Sequence, residues 1–147
     1  MAVDYFSADY ATARARFIAA AGSLGWKHSS YPIEAKGPNG ERLSIDVAIS
    51  SATDSKAALV VSSGLHGVEG FFGSAVQLAA LATMGARLAA SGVRIVFIHA
   101  LNPYGFAWSR RVNEDNIDLN RNFLLSGDQF AGSPDGYARL DSLLNPP

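Results

Sequence analysis

Two polar residues three positions apart, His66 and Glu69, stand in a glycine-rich segment that follows a short apolar run. Imidazole and carboxylate are ligand types that zinc accepts, and a catalytic zinc site uses three protein ligands and a water molecule. Side chains three residues apart at the start of a helix can converge on one point. The same spacing also arises by chance in a short chain. The pair therefore indicates a metal site only together with its surroundings.

A second polar cluster contains Arg110, Arg111 and Asn113, and it continues with Asn120 and Arg121. An arginine side chain binds a carboxylate through two parallel hydrogen bonds, and a neighbouring asparagine amide can donate beside it. The cluster could therefore hold the anionic end of a substrate. A solvated loop with arginine–aspartate pairs is the alternative interpretation, because acidic residues lie in the same segment.

The elements that must position both clusters form an alternating pattern of strands and a helix. Residues 57–61 and 93–100 are continuous apolar runs, which are typical of strands buried on both faces. A helical segment from about residue 71 to 90 joins them, so we expect two parallel strands with a right-handed crossover. Ligands bind outside the carboxyl ends of such strands. His66 follows the first strand, and an Asn-Pro-x-Gly segment that begins at Asn102 follows the second.

The rest of the chain predicts further elements of the same fold class. A helix is expected from a cap at Ser7 to about Leu24. Two strands follow, and the Pro-Asn-Gly turn at residues 38–40 should join them as a hairpin. A short helix is expected near residues 137–144. The predicted fold is α/β, with a mixed, largely parallel sheet flanked by helices.

Four other side chains are expected to serve the structure. Phe72 and Val76 lie on the apolar stripe of the predicted crossover helix, which should face the core. His99 lies within the second apolar strand and is expected to be a hydrogen-bonded core histidine. His28 precedes the hairpin and is expected to be an exposed strand residue.

The composition excludes several classes of function. The chain has 147 residues, a net charge of −1 and no cysteine, and no apolar run approaches the roughly 20 residues that span a bilayer. This charge predicts no surface for nucleic acid, and the missing thiols exclude disulfides and thiolate metal sites. The first residues lack the pattern of a secretory signal. We therefore expect a soluble cytoplasmic protein without nucleic-acid or membrane partners.

Three motifs occur in a recognisable order: Gly-x-His-Gly-x-Glu-Gly, then Asn-Pro-x-Gly, then Arg-x-Asn followed by Asp-Leu-Asn-Arg-Asn-Phe. Over about residues 57–123 this order closely resembles the zinc carboxypeptidase superfamily, the carboxypeptidase A-like metallopeptidases. The segment His-Gly-Val-Glu-Gly-Phe is most similar to a bacterial branch of that superfamily. The resemblance implies a carboxypeptidase-like (phosphorylase/hydrolase-like) α/β fold, with residues 1–147 forming the N-terminal part of a single catalytic domain.

The resemblance also implies roles for individual residues. His66 and Glu69 match the first two protein ligands of one zinc ion. Arg111 matches the arginine that polarises the scissile carbonyl group and stabilises its oxyanion. Asn120 and Arg121 match the pair that binds the terminal carboxylate of the substrate.

The chemistry implied by the resemblance is metal-assisted hydrolysis of a C-terminal peptide or peptide-like amide bond. A zinc ion lowers the pKa of its bound water to about 7 and polarises the carbonyl group. The implied substrate is a peptide or N-acyl amino acid with a free carboxylate. Asn113, close to the matched arginine, is expected to contribute to its binding.

The chain departs from the superfamily pattern in its last part. The third zinc ligand of the superfamily is a histidine downstream of the matched Asn-Arg pair, and its general-base glutamate lies further downstream. After Arg121 this chain contains neither histidine nor glutamate. We therefore expect a truncated domain that holds only half of the site, lacks its C-terminal half and is inactive alone.

Two other functions are compatible with the same residues. One is a zinc amidohydrolase that deacylates N-acyl amino acids, as in the aspartoacylase and succinylglutamate desuccinylase relatives, which share the His-x-x-Glu and Asp-Leu-Asn-Arg pattern. The other is a non-catalytic remnant that binds carboxylates. A serine hydrolase is disfavoured because the chain contains no Gly-x-Ser-x-Gly elbow.

Overall fold

The computed structural model describes residues 4–51, 55–122 and 135–145. Its helices are α1 (Tyr10–Ser23), α2 (Gly70–Ala89), α3 (Pro103–Ala107) and α4 (Asp135–Leu144), and its strands are β1 (Lys27–Lys36), β2 (Arg42–Ile49), β3 (Ala58–Ser62) and β4 (Arg94–His99). Two single 3-10 turns, η1 (Gly67–Glu69) and η2 (Leu119–Arg121), lie in the loops that carry the predicted site. The predicted mixed α/β fold, the hairpin and the short last helix are confirmed.

The four strands form one sheet in the order β1-β2-β4-β3. β3 and β4 are parallel and joined by α2, as predicted. The prediction of a largely parallel sheet is wrong for the described strands, because the β1–β2 hairpin inserts antiparallel beside β4. In that pairing Asp46 of β2 lies opposite His99 of β4. This register brings the hairpin to the strand ends that carry the predicted site.

The two faces of the sheet differ in what covers them. α1 and α2 pack on one face, where Phe17, Leu78, Leu81, Ile95 and Phe97 belong to the core. On β2 this covered face consists of Ser44, Asp46 and Ala48, whereas Ile45, Val47 and Ile49 are only half-buried on the other face. β3 is an edge strand, and Val60 is 56% exposed. The prediction that residues 57–61 are buried on both faces is therefore wrong.

The boundaries of α1 differ slightly from the prediction. The N-cap is Asp9, whose carboxylate accepts a hydrogen bond from Thr12 N at 2.7 Å. The predicted cap, Ser7, instead accepts a hydrogen bond from the Arg16 guanidinium. α1 ends just before Gly25, which has a φ of 68°. Asp9 therefore caps the helix, whereas Ser7 lies before it and binds Arg16.

α2 turns a different face to the core than the sequence predicts. Phe72 is 66% exposed and Val76 is 47% exposed, so the prediction that they belong to the core is wrong. The buried side of α2 includes two polar residues, Ser74 and Gln77. Gln77 Nε2 donates to carbonyl oxygens of both β3 and β4. The buried side of α2 therefore combines these polar contacts with Leu78 and Leu81, which pack in the core.

The segment Gly67–Ala89 is long and apolar enough to cross a membrane by length and composition. Core helices of α/β folds have the same length and composition. In this chain Leu78 and Leu81 of the segment pack in the core beside the sheet, and Gln77 hydrogen-bonds to the strands. The contacts are those of a core helix.

A buried carboxylate links α1 to the sheet. Asp46 is completely buried and accepts hydrogen bonds from Arg14 Nε at 2.7 Å and from Ser44 Oγ at 2.9 Å. His28 Nε2 lies 2.8 Å from the same carboxylate, so the prediction that His28 is merely an exposed strand residue is wrong. Burial opposes ionisation, but the hydrogen bonds from Arg14, His28 and Ser44 outweigh it and hold the pKa of Asp46 below its usual range.

His99 is a core histidine, as predicted. It is fully buried, its ring stacks on Phe17 with centroids 4.8 Å apart, and its Nε2 lies 3.0 Å from Ser74 Oγ. Its Nδ1 has no hydrogen-bond partner within the described part of the chain. Burial lowers the pKa of His99 to about 4, although the nearby Asp46 carboxylate acts in the opposite direction. The ring is therefore neutral at physiological pH.

The buried neutral ring predicts a specific pH dependence of stability. An unfolded histidine has a pKa of about 6.5, so between this value and about 4 the unfolded chain binds more protons than the folded chain. The free energy of unfolding should therefore fall as the pH is lowered through this window. We expect the urea midpoint, measured by circular dichroism, to decrease less between pH 7 and 5 in a His99→Phe variant. An identical decrease in both proteins would contradict this assignment.

Candidate metal site

The ends of the two parallel strands lie side by side and carry the predicted site. Leu101 N donates to Ser63 O at 2.9 Å, and Asn102 N donates to Gly64 O at 2.8 Å. The loop after β3 and the loop after β4 are therefore hydrogen-bonded to each other. This is the arrangement that the alternating sequence pattern predicts for the carboxyl ends of adjacent parallel strands.

Gly67 allows the two loops to approach more closely than any other residue would at this position. A Cβ atom on Gly67 would lie 1.9 Å from the carbonyl carbon of Gly105 and 2.2 Å from Phe106 N. η1 therefore lies directly against the backbone of α3. Val68 N also donates to Arg110 O at 3.0 Å, which ties η1 to the loop after α3. These contacts fix the segment between His66 and Glu69.

His66 and Glu69 are brought together by this segment. His66 Nδ1 lies 3.1 Å from Glu69 Oε1. The His66 side chain is 11% exposed and the Glu69 side chain is 66% exposed, so the pair faces solvent at the strand ends. A nitrogen and an oxygen donor at this separation are able to contact the same cation.

The second ring nitrogen of His66 has its own partner. Nε2 lies 3.1 Å from Asp118 Oδ1, and Arg111 Nε donates to Asp118 Oδ2 at 2.9 Å. Hydrogen bonds from Arg111, and to a lesser degree from Asn120 N and His66, hold the pKa of Asp118 below its usual range. The contact between Nε2 and this carboxylate orients the imidazole ring, so that Nδ1 faces Glu69 Oε1 on the other side. His66, Glu69, Arg111 and Asp118 thus form one network, which we call the His66 network.

Asn102 positions the arginine of this network. Its side chain is buried, its Oδ1 accepts from Gly105 N at 2.8 Å, and its Nδ2 donates to Arg111 O at 3.3 Å. In the sequence, Asn102 begins the Asn-Pro-x-Gly motif. Asparagine followed by proline is a typical start of a helix, so its capping role could have been predicted, but its contact with Arg111 could not.

The remaining predicted residues lie nearby without joining the network through their side chains. Asn113 Oδ1 accepts from Asp115 N and from Ile117 N at 2.8 Å, so this oxygen stabilises the loop and only its amide nitrogen remains for a ligand. Asn120 contributes its backbone N–H to Asp118. The Arg121 side chain is exposed. Among the described residues, no contact joins Arg121 to His66 or Arg111.

A small open cavity lies beside the network. Its volume is about 170 Å³. The wall combines apolar side chains with polar ones: Ile33, Ile45, Leu101, Asn102, Pro103, Asn113, Glu114 and Leu119. Asn102 lines this cavity and also donates to Arg111 O, which connects the cavity wall to the network.

The two ligand types are those that zinc accepts, but a catalytic zinc ion needs a third protein ligand. One imidazole nitrogen and one carboxylate oxygen face each other, and both are common zinc ligands. Residues 4–51, 55–122 and 135–145 contain no group of three histidine, cysteine or acidic side chains arranged around a common metal position. Asp118 contacts His66 on the opposite side of the ring and therefore orients this ligand.

A solved structure shares the fold of this chain. A crystal structure of a candidate metallopeptidase from Shewanella denitrificans matches with a TM-score of 0.60 and 20% sequence identity, over 98% of this chain and 55% of that chain. This chain therefore spans about half the length of that protein. The match indicates a shared fold.

Two glutaminyl cyclases are more distant. The enzyme from Macrostomum lignano matches with a TM-score of 0.41 and 17% identity over 64% of this chain and 32% of that chain. The enzyme from Porphyromonas gingivalis matches with a TM-score of 0.40 and 16% identity over 69% of this chain and 48% of that chain. Both scores are too low to indicate a common fold.

The comparison with protein families gives one match that covers nearly the whole chain. The search of curated proteins found no match to this chain. The family described as "Protein of unknown function (DUF2817)" matches residues 6–147. The matched region contains β1 to β4, the His66 network and α4. This chain is therefore a member of the DUF2817 family.

Proposed function

We propose that this chain carries one half of the active site of a zinc-dependent hydrolase of carboxypeptidase type. The observation that supports the proposal is the pairing of His66 Nδ1 with Glu69 Oε1 at 3.1 Å while His66 Nε2 contacts an ionised aspartate. Such a pairing presents two ligand atoms on one side of the ring and an orienting carboxylate on the other. The motif resemblance and the fold shared with a candidate metallopeptidase agree with this assignment.

Each residue of the network has a distinct part in this proposal. His66 and Glu69 would hold the metal. The metal, when bound, supplies a water molecule of lowered pKa and polarises the substrate carbonyl group. Arg111, the network residue whose side chain is 51% exposed, would donate towards the negative charge that develops on the carbonyl oxygen.

The substrate is proposed to be a peptide or an N-acyl amino acid with a free carboxylate. The exposed Arg121 guanidinium would bind this carboxylate through two parallel hydrogen bonds. The amide groups of Asn120 and Asn113 would donate beside it. The cavity of about 170 Å³ next to Asn113 would receive the residue attached to the scissile bond.

The site needs further ligands to become active. The described residues supply two protein ligands, whereas a catalytic zinc ion has three. We propose that a third ligand and the general base come from polypeptide other than these residues, and that the complete protein acts in the cytoplasm. The isolated chain is then expected to bind zinc weakly and to hydrolyse no peptide.

Calorimetric titration with zinc chloride tests the ligand assignment. We expect His66→Ala and Glu69→Ala each to abolish the specific binding seen with the unchanged chain. Asp118→Asn should weaken it about 10- to 100-fold, because the ring loses its orienting carboxylate. The matched control is Glu34→Ala, an exposed glutamate on β1, which should bind zinc as the unchanged chain does.

The titration and an activity assay test different parts of the proposal. Zinc binding that survives the His66→Ala substitution would overturn the ligand assignment. Turnover of C-terminal peptides by the isolated chain would overturn the proposed need for further ligands. Hydrolysis of N-acyl amino acids without hydrolysis of peptides would assign the amidohydrolase function instead.

A further inference from the structure

The face of the sheet opposite α1 and α2 is apolar and lacks a helix within the described residues. Val47 of β2 lies opposite Ile98 of β4, Ile49 lies opposite Val96, and Val96 is also paired with Val60 of β3. Paired residues share one face of a sheet. Val60 is exposed and the other four side chains are only half-buried. We call these five residues the open face.

The described residues also include a helix, α4, whose apolar side is exposed. In α4 the side chains of Tyr137, Leu140 and Leu144 are exposed, each by roughly half. Their spacing of three and four residues places them on one stripe of the helix. Arg139 and Ser142 lie on the opposite side. We call the first three residues the α4 stripe.

The connection to α4 starts beside the open face. Leu119 lines the cavity of about 170 Å³ together with Ile45, whose side chain is on the same face as Val47. Residues 123–134 then lead to α4, and a chain of that length reaches up to about 40 Å. α4 has 10 residues and is about 15 Å long, which is enough to cross β2, β4 and β3 at about 4.8 Å per strand.

We propose that the α4 stripe docks on the open face and forms a second helical layer over the sheet. Both surfaces are apolar, both are exposed, and one chain carries both of them. Because α4 is tethered, its effective concentration at the open face is in the millimolar range, far above that of a second copy in dilute solution. The docked helix would also cover the apolar wall beside the His66 network.

Disulfide trapping tests this arrangement directly, since the chain contains no cysteine. The trapping variant combines Val47→Cys with Leu140→Cys, and the control variant combines Val47→Cys with Ser142→Cys. Under mild oxidation we expect an intramolecular disulfide to form at least tenfold faster in the trapping variant. Thiol titration and mobility on a non-reducing gel give the readout. Equal rates in both variants, or a covalent dimer in the trapping variant, would overturn the proposal.

Dye binding provides a second measurement that does not depend on the choice of cysteine positions. A Leu140→Asp/Leu144→Asp variant should prevent docking and increase the fluorescence of an apolar-surface dye several-fold. An Arg139→Asp/Ser142→Asp variant adds the same number of aspartates to the other side of α4 and should leave the fluorescence unchanged. If both variants give the fluorescence of the unchanged chain, α4 does not cover the open face.

Discussion

A Gly67→Ala variant is expected to lose about 3 kcal/mol of its free energy of unfolding, the upper range for overpacking a tight contact. The new Cβ would lie 1.9 Å from the carbonyl carbon of Gly105 and 2.2 Å from Phe106 N. Both are backbone atoms, so no side-chain rotation relieves the clash. η1 and α3 must separate, and Val68 N then loses its hydrogen bond to Arg110 O. The same movement displaces His66 and Glu69, so zinc binding should fall with stability.

Urea unfolding followed by circular dichroism measures this loss. Gly22→Ala is the matched control, because Gly22 lies in α1 with no atom within 4 Å of an added Cβ. Alanine is favoured over glycine in a helix by about 1 kcal/mol, so the control should be slightly more stable than the unchanged chain. A Gly67→Ala variant as stable as the unchanged chain would show that η1 and α3 are not in close backbone contact.

Removal of Arg14 is expected to cost about 3 kcal/mol, because it leaves the completely buried Asp46 carboxylate without its main partner. Arg14 Nε lies 2.7 Å from Asp46 Oδ2, and Nη2 lies 3.1 Å from Oδ1. The pKa of Asp46 is lowered in the folded chain, so the Arg14–Asp46 pair stabilises the fold fully at pH values above the ordinary pKa of an aspartate. This stabilisation is lost as the pH falls through the lowered value.

Replacement of both partners separates the loss of the pair from the burial of an unpaired charge. The Arg14→Met/Asp46→Leu variant leaves no buried carboxylate, and its stability should lie within about 1 kcal/mol of the unchanged chain. Arg87→Ala, on the exposed side of α2, is the surface control and should change stability by less than about 0.5 kcal/mol. Thermal and urea unfolding provide the measurement. If Arg14→Ala is no more destabilising than Arg87→Ala, the carboxylate is not held by Arg14.

The parts of the fold that the sequence predicts correctly depend on local patterns. The Asn-Gly turn predicts the β1–β2 hairpin, and the strand–helix–strand pattern predicts the parallel pairing of β3 and β4. The covered face of β2 could not be predicted in this way. Asp46 is polar, and its burial depends on Arg14, which is 32 residues away in the sequence.

In the candidate site, too, the sequence predicts the contact between near neighbours and does not predict the contact between distant residues. His66 and Glu69 are three residues apart, so their spacing in the sequence already indicates that they meet. Asp118 contacts the other ring nitrogen from 52 residues away, and nothing in the local pattern predicts this contact. The local pattern does not predict the orientation of α2 either, because Gln77 donates to carbonyl groups of two strands.

The contact between His66 and Asp118 has a consequence for the order of folding events. A contact across 52 residues requires closure of a long loop, and such contacts form late because their entropic cost must be met first. β3, α2 and β4 all lie between the two residues, so this unit must be assembled before the ring is oriented. Until then His66 and Glu69 are neighbours in sequence without a defined geometry. A cation that needs the oriented ring would therefore bind after folding, and it would slow unfolding more than it would accelerate folding.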